Sequence, residues 1–145
     1  LVFLGNTPEE KIPAIKEAIG EAASPIEPFA LTFTRLGAFP DLKRPRVVWF
    51  GVEEKSGQLQ ALVERLKEAL LRRRIRLTDH KPFTPHLTLA RLKGPLTPSL
   101  LEALQRVADG YQEIPGVTVS SIELMESVLN QAGLPKYFEL YRHLL

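Results

Sequence analysis

The sequence predicts an α+β domain built as two pseudo-symmetric lobes of antiparallel sheet, with helices on the outside and a cleft between the lobes. Three observations predict it. Apolar residues alternate at strand spacing in some segments and recur at helical spacing in others. Connections between strands expected to pair are short, which favours antiparallel neighbours over long crossovers. A stretch at the start of the chain recurs in its second half, the mark of a duplicated unit. With 145 residues, 44% of them apolar and 25% charged, the chain reads as one domain, 1–145, with no linker or low-complexity stretch.

Leu1 to Leu4 reads as a buried strand fragment that ends at the turn pair Gly5-Asn6. Thr7 stands where a helix cap belongs, with Pro8 at the first position and Glu10 completing a capping box. Ile12, Ile15, Ala18 and Ile19 share one helical face. Pro13 lacks the donor an interior position needs, so the regular helix is expected to begin later than Thr7 suggests. Phe29 to Leu36 reads as a strand, with Leu31, Phe33 and Arg35 on one face and Thr32, Thr34 and Leu36 on the other. A loop is expected over 37–44. Arg46 to Val52 is β-branched and aromatic, hence a strand, and Trp49 within it is expected to pack rather than to stack on a base.

Ser56 is expected to cap the next helix, whose Leu59, Leu62, Val63, Leu66, Ala69 and Leu70 face a core. It runs into Arg72 to Arg74, and Ile75 to Asp79 is expected as a short strand. Pro85 to Arg91 is a further strand, because Leu, Thr and Leu alternate after a proline that cannot sit inside a sheet. Thr97 and Pro98 open a third helix with Leu101, Leu104, Val107 and Ala108 on its core side. The stretch 117–129 is too long for one straight strand without a bulge. Gln131 to Pro135 is a turn, and Tyr137 to Leu144 the last strand.

Composition excludes several classes. There is no cysteine, hence no disulfide, thiolate metal site or thiol nucleophile, which suits a reducing cytoplasm. No apolar run approaches the ~20 residues of a membrane helix. No cluster of carboxylates and histidines has metal-ligand spacing.

The chemistry points to the strand at His86. Period-2 geometry sets His86 and Thr88 on one face, with Leu87 and Leu89 on the other. An imidazole can exchange a proton near neutral pH, and the hydroxyl beside it can donate to an anionic oxygen. A lone strand histidine is more often structural than catalytic. Charge raises the functional reading: between Arg72 and Lys93 lie seven basic residues and one acid, Asp79, a net +6 in a chain whose total is +2, so the remainder sums to −4. Such a segment suits a phosphorylated partner. Part of the arginine run opposes a helix dipole, which does not account for Arg91 or Lys93.

The repeat aligns Leu1 with Leu89, Leu4 with Leu92, Gly5 with Gly94 and Thr7-Pro8 with Thr97-Pro98. It sets the counterpart of His86-Leu87-Thr88 immediately ahead of Leu1. On these residues the chain resembles the two-histidine phosphoesterases, and within them the RNA 2′,3′-cyclic phosphodiesterase or 2′-5′ RNA ligase family. Phe39-Pro40 with 45–52 resembles the family's middle segment, Phe83-x-Pro85 through Arg91 its second His-x-Thr motif, and Leu124, Ser127, Leu129, Gly133 and Tyr137 its closing strand pair. The resemblance implies that the first motif, with the strand and helix before it, precedes Leu1, and that the stretch 1–145 alone is inactive without it.

The resemblance also implies the activity: metal-independent opening of 2′,3′-cyclic phosphates to 2′-phosphates by two His-x-Thr motifs, with 2′-5′ ligation as the reverse. The expected partners are RNA ends or nucleotides bearing the cyclic phosphate, tRNA-derived ends among them, acted on by a cytoplasmic monomer. His86 is then one of two proton carriers, acid or base being left open, and Thr88 the phosphate donor. Arg91 is a candidate phosphate ligand, although its odd spacing from His86 requires a bulge to share the face. Phe83 and Tyr137 are candidate walls of the site, with packing as the blander role. His80 and His143 receive no role. The competing reading is an RNA- or nucleotide-binding domain of the same fold without turnover.

Overall fold

The computed structural model describes residues 1–145 except 79–81, 112–113, 132 and 134, and at 114–115 the backbone alone. Three α-helices and six strands follow in the order α1 (Ile12–Ala23), β1 (Phe29–Phe39), β2 (Val47–Glu53), α2 (Gln58–Arg72), β3 (His86–Arg91), α3 (Pro98–Asp109), β4 (Ile114–Val119), β5 (Ser121–Leu129) and β6 (Pro135–Leu144). The architecture is α+β with antiparallel sheets, as the alternation of spacings predicts. The chain forms two compact units. One comprises Leu1–Phe29, Ser56–Phe83 and Val119–Leu145; the other comprises Ala30–Lys55 and Thr84–Thr118. The two copies of the repeat fall one in each unit.

The first unit is helical at heart. α1 buries Ile15, Ala18, Ile19, Ala22 and Ala23, and α2 buries the six residues its spacing predicts, from Leu59 to Leu70. Alanines on α1 let the two helices approach closely. Leu62, Val63 and Leu70 are enclosed, each contributing about 1.5–3 kcal/mol by leaving water. α1 also packs on the antiparallel pair β5–β6, where Ile122 is buried. At the C-terminal end of α2, Arg72 and Arg73 both pair with Glu21 of α1, Arg73 at 2.8 Å, and Arg73 lies 3.6 Å from Glu17. That pairing holds the Glu21 carboxyl below its ordinary range, chiefly through the hydrogen bond from Arg73.

Local signals hold in places and fail in others. A 3₁₀ turn over Glu9–Lys11 precedes α1, and Pro13 falls in the first helical turn, where its missing N–H costs nothing. Thr7 does not cap; its hydroxyl donates to Leu4 O at 3.2 Å. Thr97 does cap α3, accepting from the Leu100 N–H at 3.4 Å. The cap position of α2 belongs to Gly57, at φ +81°, rather than to Ser56, because a left-handed entry favours glycine. Neither Leu1–Leu4 nor 75–78 forms a strand. Phe3 O accepts from both the N–H and the hydroxyl of Thr78, at 3.2 and 3.0 Å, and such a local contact does not make a ladder. Asp79 lies outside the described residues, as do Ala132 and Leu134 of the expected 131–135 turn.

The second unit centres on a four-stranded sheet in the order β3-β2-β1-β4. β1 runs three residues beyond its predicted end, to Phe39, and the β1–β2 connection is tightened by Asp41, whose Oδ1 accepts from the Lys43 and Arg44 N–H groups at 2.8 and 2.9 Å. The expected core face of α3 is not buried: Leu101, Leu104 and Ala108 are half-buried and Val107 is 59% exposed. The docked point is Tyr111, just past the helix, whose hydroxyl donates to Phe33 O at 3.1 Å and whose ring lies 5.0 Å from Phe50. The long stretch after 116 breaks at Ser120 into β4 and β5, and β6 carries a bulge opposite Leu124/Met125.

Candidate active site

The site grows from the register of β2 against β3. Gly51 stands opposite His86, Trp49 opposite Thr88 and Val47 opposite Arg91. Residues 47, 49 and 51 alternate onto one face of β2, so their three partners share that face. His86 and Thr88 are therefore neighbours, as their spacing predicts. Arg91 joins them because the register slips between Val48 and Trp49, leaving Leu89 as an extra residue on β3. That slip supplies the bulge Arg91 needs.

A second bulge decides a residue that alternation misplaces. The register of β1 shifts between Phe33 and Arg35, at Thr34. Thr32, Arg35, Gly37 and Phe39 consequently lie on the face of Trp49 and Gly51, while Phe33, Leu36 and Ala38 turn to the opposite face. Arg35, Gly51 and His86 form one row across three strands. Gly51 has no side chain, and the stem of Arg35 lies over it: a Cβ there would be 3.0 Å from Arg35 Cγ. The Arg35 guanidinium sits 5.4 Å from the Trp49 ring centroid. Arg35 thus enters the surroundings of His86, although periodicity assigns it to the face of Leu31 and Phe33. The signal that could have found it is the pair Gly37 and Gly51 inside otherwise aromatic and β-branched strands, which marks close approach.

Aromatic rings fix the imidazole. Phe39 meets His86 edge-on at 5.3 Å, Trp49 at 6.4 Å, and Phe39 and Trp49 lie 5.0 Å apart. Trp49 is 7% exposed, packed as expected, with its indole crossing above Gly37 so closely that a Cβ there would lie 2.4 Å from it. The Trp49 Nε1 is buried without a hydrogen-bond partner among the described residues. His86 itself is exposed, and its Nδ1 lies 2.7 Å from Thr84 O. A carbonyl only accepts, so Nδ1 carries a proton and donates to it, and Nε2 makes no hydrogen bond to a described residue. Thr88 is half-buried, and Arg35 and Arg91 are exposed, without ion pairs to described residues.

The remaining candidates belong to the other unit or lie outside the described residues. Phe83 is half-buried and Tyr137 is exposed on β6 opposite Ser127; both belong to the helical unit. His143 is also in the helical unit, half-buried beside Gly20, with Nδ1 3.2 Å from the Tyr141 hydroxyl. His80 lies outside the described residues. Among the described residues no helix is long and apolar enough to cross a membrane, and no group of three metal-ligating side chains converges.

A sheet face that offers an exposed imidazole, a hydroxyl and guanidinium groups has the equipment of an enzyme that handles phosphoesters. The chain belongs to the 2′-5′ RNA ligase superfamily, whose sequence profile matches residues 1–131. It is similar to an Aeropyrum pernix protein named RNA 2′,3′-cyclic phosphodiesterase, 37% identical over 142 residues that cover 97% of this chain and 77% of that one. An Archaeoglobus fulgidus protein of the same name is 33% identical over 140 residues, covering 97% and 74%. The crystal structure of a Thermus thermophilus protein superposes with a TM-score of 0.69 at 30% identity, covering 99% of this chain and 74% of that one.

Proposed function

We propose that the protein is an RNA 2′,3′-cyclic phosphodiesterase that opens the cyclic phosphate to a 2′-phosphate, with 2′-5′ ligation as the reverse reaction. The observation that carries this reading is the His86 ring, tied at Nδ1 to Thr84 O and with Nε2 bonded to no described residue, in a row with Arg35 and beside Thr88. Relatives that share almost the whole chain bear the name of this activity.

The reaction needs three things. Water attacks phosphorus while the bond to the ribose 3′-oxygen breaks; one group takes the water proton and another protonates the departing oxygen. His86 is one of these two carriers, and the reaction requires a second proton-transferring group opposite it. The third need is charge neutralisation on the non-bridging oxygens. The Thr88 hydroxyl donates there, and Arg35 supplies the cation, with Arg91 further along the same face. Replacing water with an RNA 5′-hydroxyl and reversing each proton transfer forms the 2′-5′ linkage.

The test is turnover of a 2′,3′-cyclic nucleotide by the full-length protein with excess chelator, followed by ³¹P NMR. The expected product is the 2′-phosphate alone. Binding of the cyclic nucleotide without turnover would instead establish the binding-only reading, and a 3′-phosphate product would overturn the assignment of the leaving oxygen.

A further inference from the structure

The arginine run that ends α2 divides in two. Arg72 and Arg73 are spent on Glu21 and Glu17 of α1. Arg74 and Arg76 have no ion pair with a described residue, and neither has Lys11. These three cations line one cavity of about 390 Å³ within the helical unit, between the 4–11 segment and 74–78. Among the described residues no carboxylate lines it; Glu9 and Glu10 on the neighbouring 3₁₀ turn are outside its wall. The rest of the wall is mixed. Leu4, Pro8 and Leu77 offer apolar surface, and Asn6 offers an amide.

Arg74 is also conformationally expensive. It sits at φ +56°, in the left-handed region, just past the helix end, where its N–H bonds Leu71 O at 2.9 Å and the Ile75 N–H bonds Leu70 O at 3.0 Å. Glycine is the usual residue at that position, and an L side chain there costs about 1–2 kcal/mol. An arginine at such a place, on the wall of a cavity whose described lining carries three cations and no carboxylate, is a reason to look for an anion.

We propose that this cavity binds one nucleotide unit: a phosphate held by Lys11, Arg74 and Arg76, with its nucleoside against Leu4, Pro8 and Leu77. A volume of this size exceeds what a bare phosphate fills and lies in the range of small-molecule sites. The cavity shares no residue with the His86 face, and only the identity of the ligand as part of an RNA strand rests on the proposed activity.

The experiment uses full-length His86→Ala protein, so that hydrolysis does not intrude, and follows backbone amide shifts during titration with AMP, inorganic phosphate and an RNA of roughly ten nucleotides ending in a plain 3′-hydroxyl. The Leu4, Thr7 and Thr78 amides should move with AMP and with RNA. Tighter binding of RNA than of AMP identifies a strand, and equal affinity identifies a free nucleotide; both support the site. Adding Arg74→Gly and Arg76→Gln should weaken RNA binding about tenfold and lower the slope of log K against log salt by roughly 1.4. Arg74→Gly alone should weaken binding without lowering the unfolding midpoint, because glycine suits the left-handed backbone. Unchanged affinity in the double variant, phosphate binding as tightly as AMP, or RNA shifts confined to β3 would overturn the proposal. Failure of catalysis by the wild type would leave these readings intact and count only against the activity.

Discussion

The two units treat their side chains in opposite ways. In the helical unit, apolar residues on α1 and α2 close on each other, and their charged ends are matched arginine to glutamate. In the sheet unit, one face of β3 keeps His86 exposed and Thr88 half-buried, ringed by aromatics, with arginines that pair with no described residue. The first arrangement lowers the energy of the fold. The second leaves polar groups unsatisfied where a phosphate could meet them. The difference teaches that stability and chemistry are carried by different segments, and substitutions should separate them.

The largest effect on stability is expected in the helical core. Leu62→Ala leaves a cavity between α1 and α2 and should lower unfolding free energy by about 2–5 kcal/mol in a urea titration. If activity per folded molecule falls as well, the separation fails. Gly37→Ala drives a methyl into the Trp49 indole and should cost about 1–3 kcal/mol while displacing the ring that braces His86. Thermal melts and kcat measured together should both drop. Arg35→Met keeps the aliphatic stem and removes the charge, so kcat/KM should fall roughly tenfold with the melt unchanged, about 1.4 kcal/mol of transition-state stabilisation. An unaltered rate would remove Arg35 from the site.

The smallest effect is in the ion pairs that join α1 to α2. Glu21 is held below its ordinary value of 4.5, first by the hydrogen bond from Arg73 and then by the charges of Arg72 and Arg73. The folded protein therefore takes up this proton less readily than the unfolded chain. The stabilisation is present above the ordinary value and is lost as pH falls through the lowered one. Melting temperatures of wild type and Glu21→Gln should differ at neutral pH and converge in acid; parallel curves would contradict the pairing.

How much of this was readable in the sequence depends on how local the cause was. Helical spacing names every buried residue of α2, because a stripe on a helix needs nothing beyond the helix to define it. The pairing of His86 with Thr88 follows from the pleat alone. Arg35 and Arg91 could not be placed that way, since a bulge at Thr34 and another at Leu89 reverse the faces, and bulges arise from the pairing of strands rather than from either strand's own residues. The caps at Thr7 and Ser56 failed for a related reason: the incoming backbone, a turn at Pro8 and a left-handed Gly57, had already chosen the geometry. The exposed face of α3 depends on tertiary contact, which spacing does not report.

The central claim is that His86 moves a proton in opening a cyclic phosphate. It is tested most directly by measuring kcat/KM for a 2′,3′-cyclic nucleotide with full-length wild type and His86→Ala, each with its unfolding midpoint on the same sample. The account predicts a loss of about 10²–10⁴-fold with the midpoint little changed, because the ring is exposed and meets Phe39 and Trp49 only edge-on. Retention of most of the wild-type rate in a folded His86→Ala protein would contradict it.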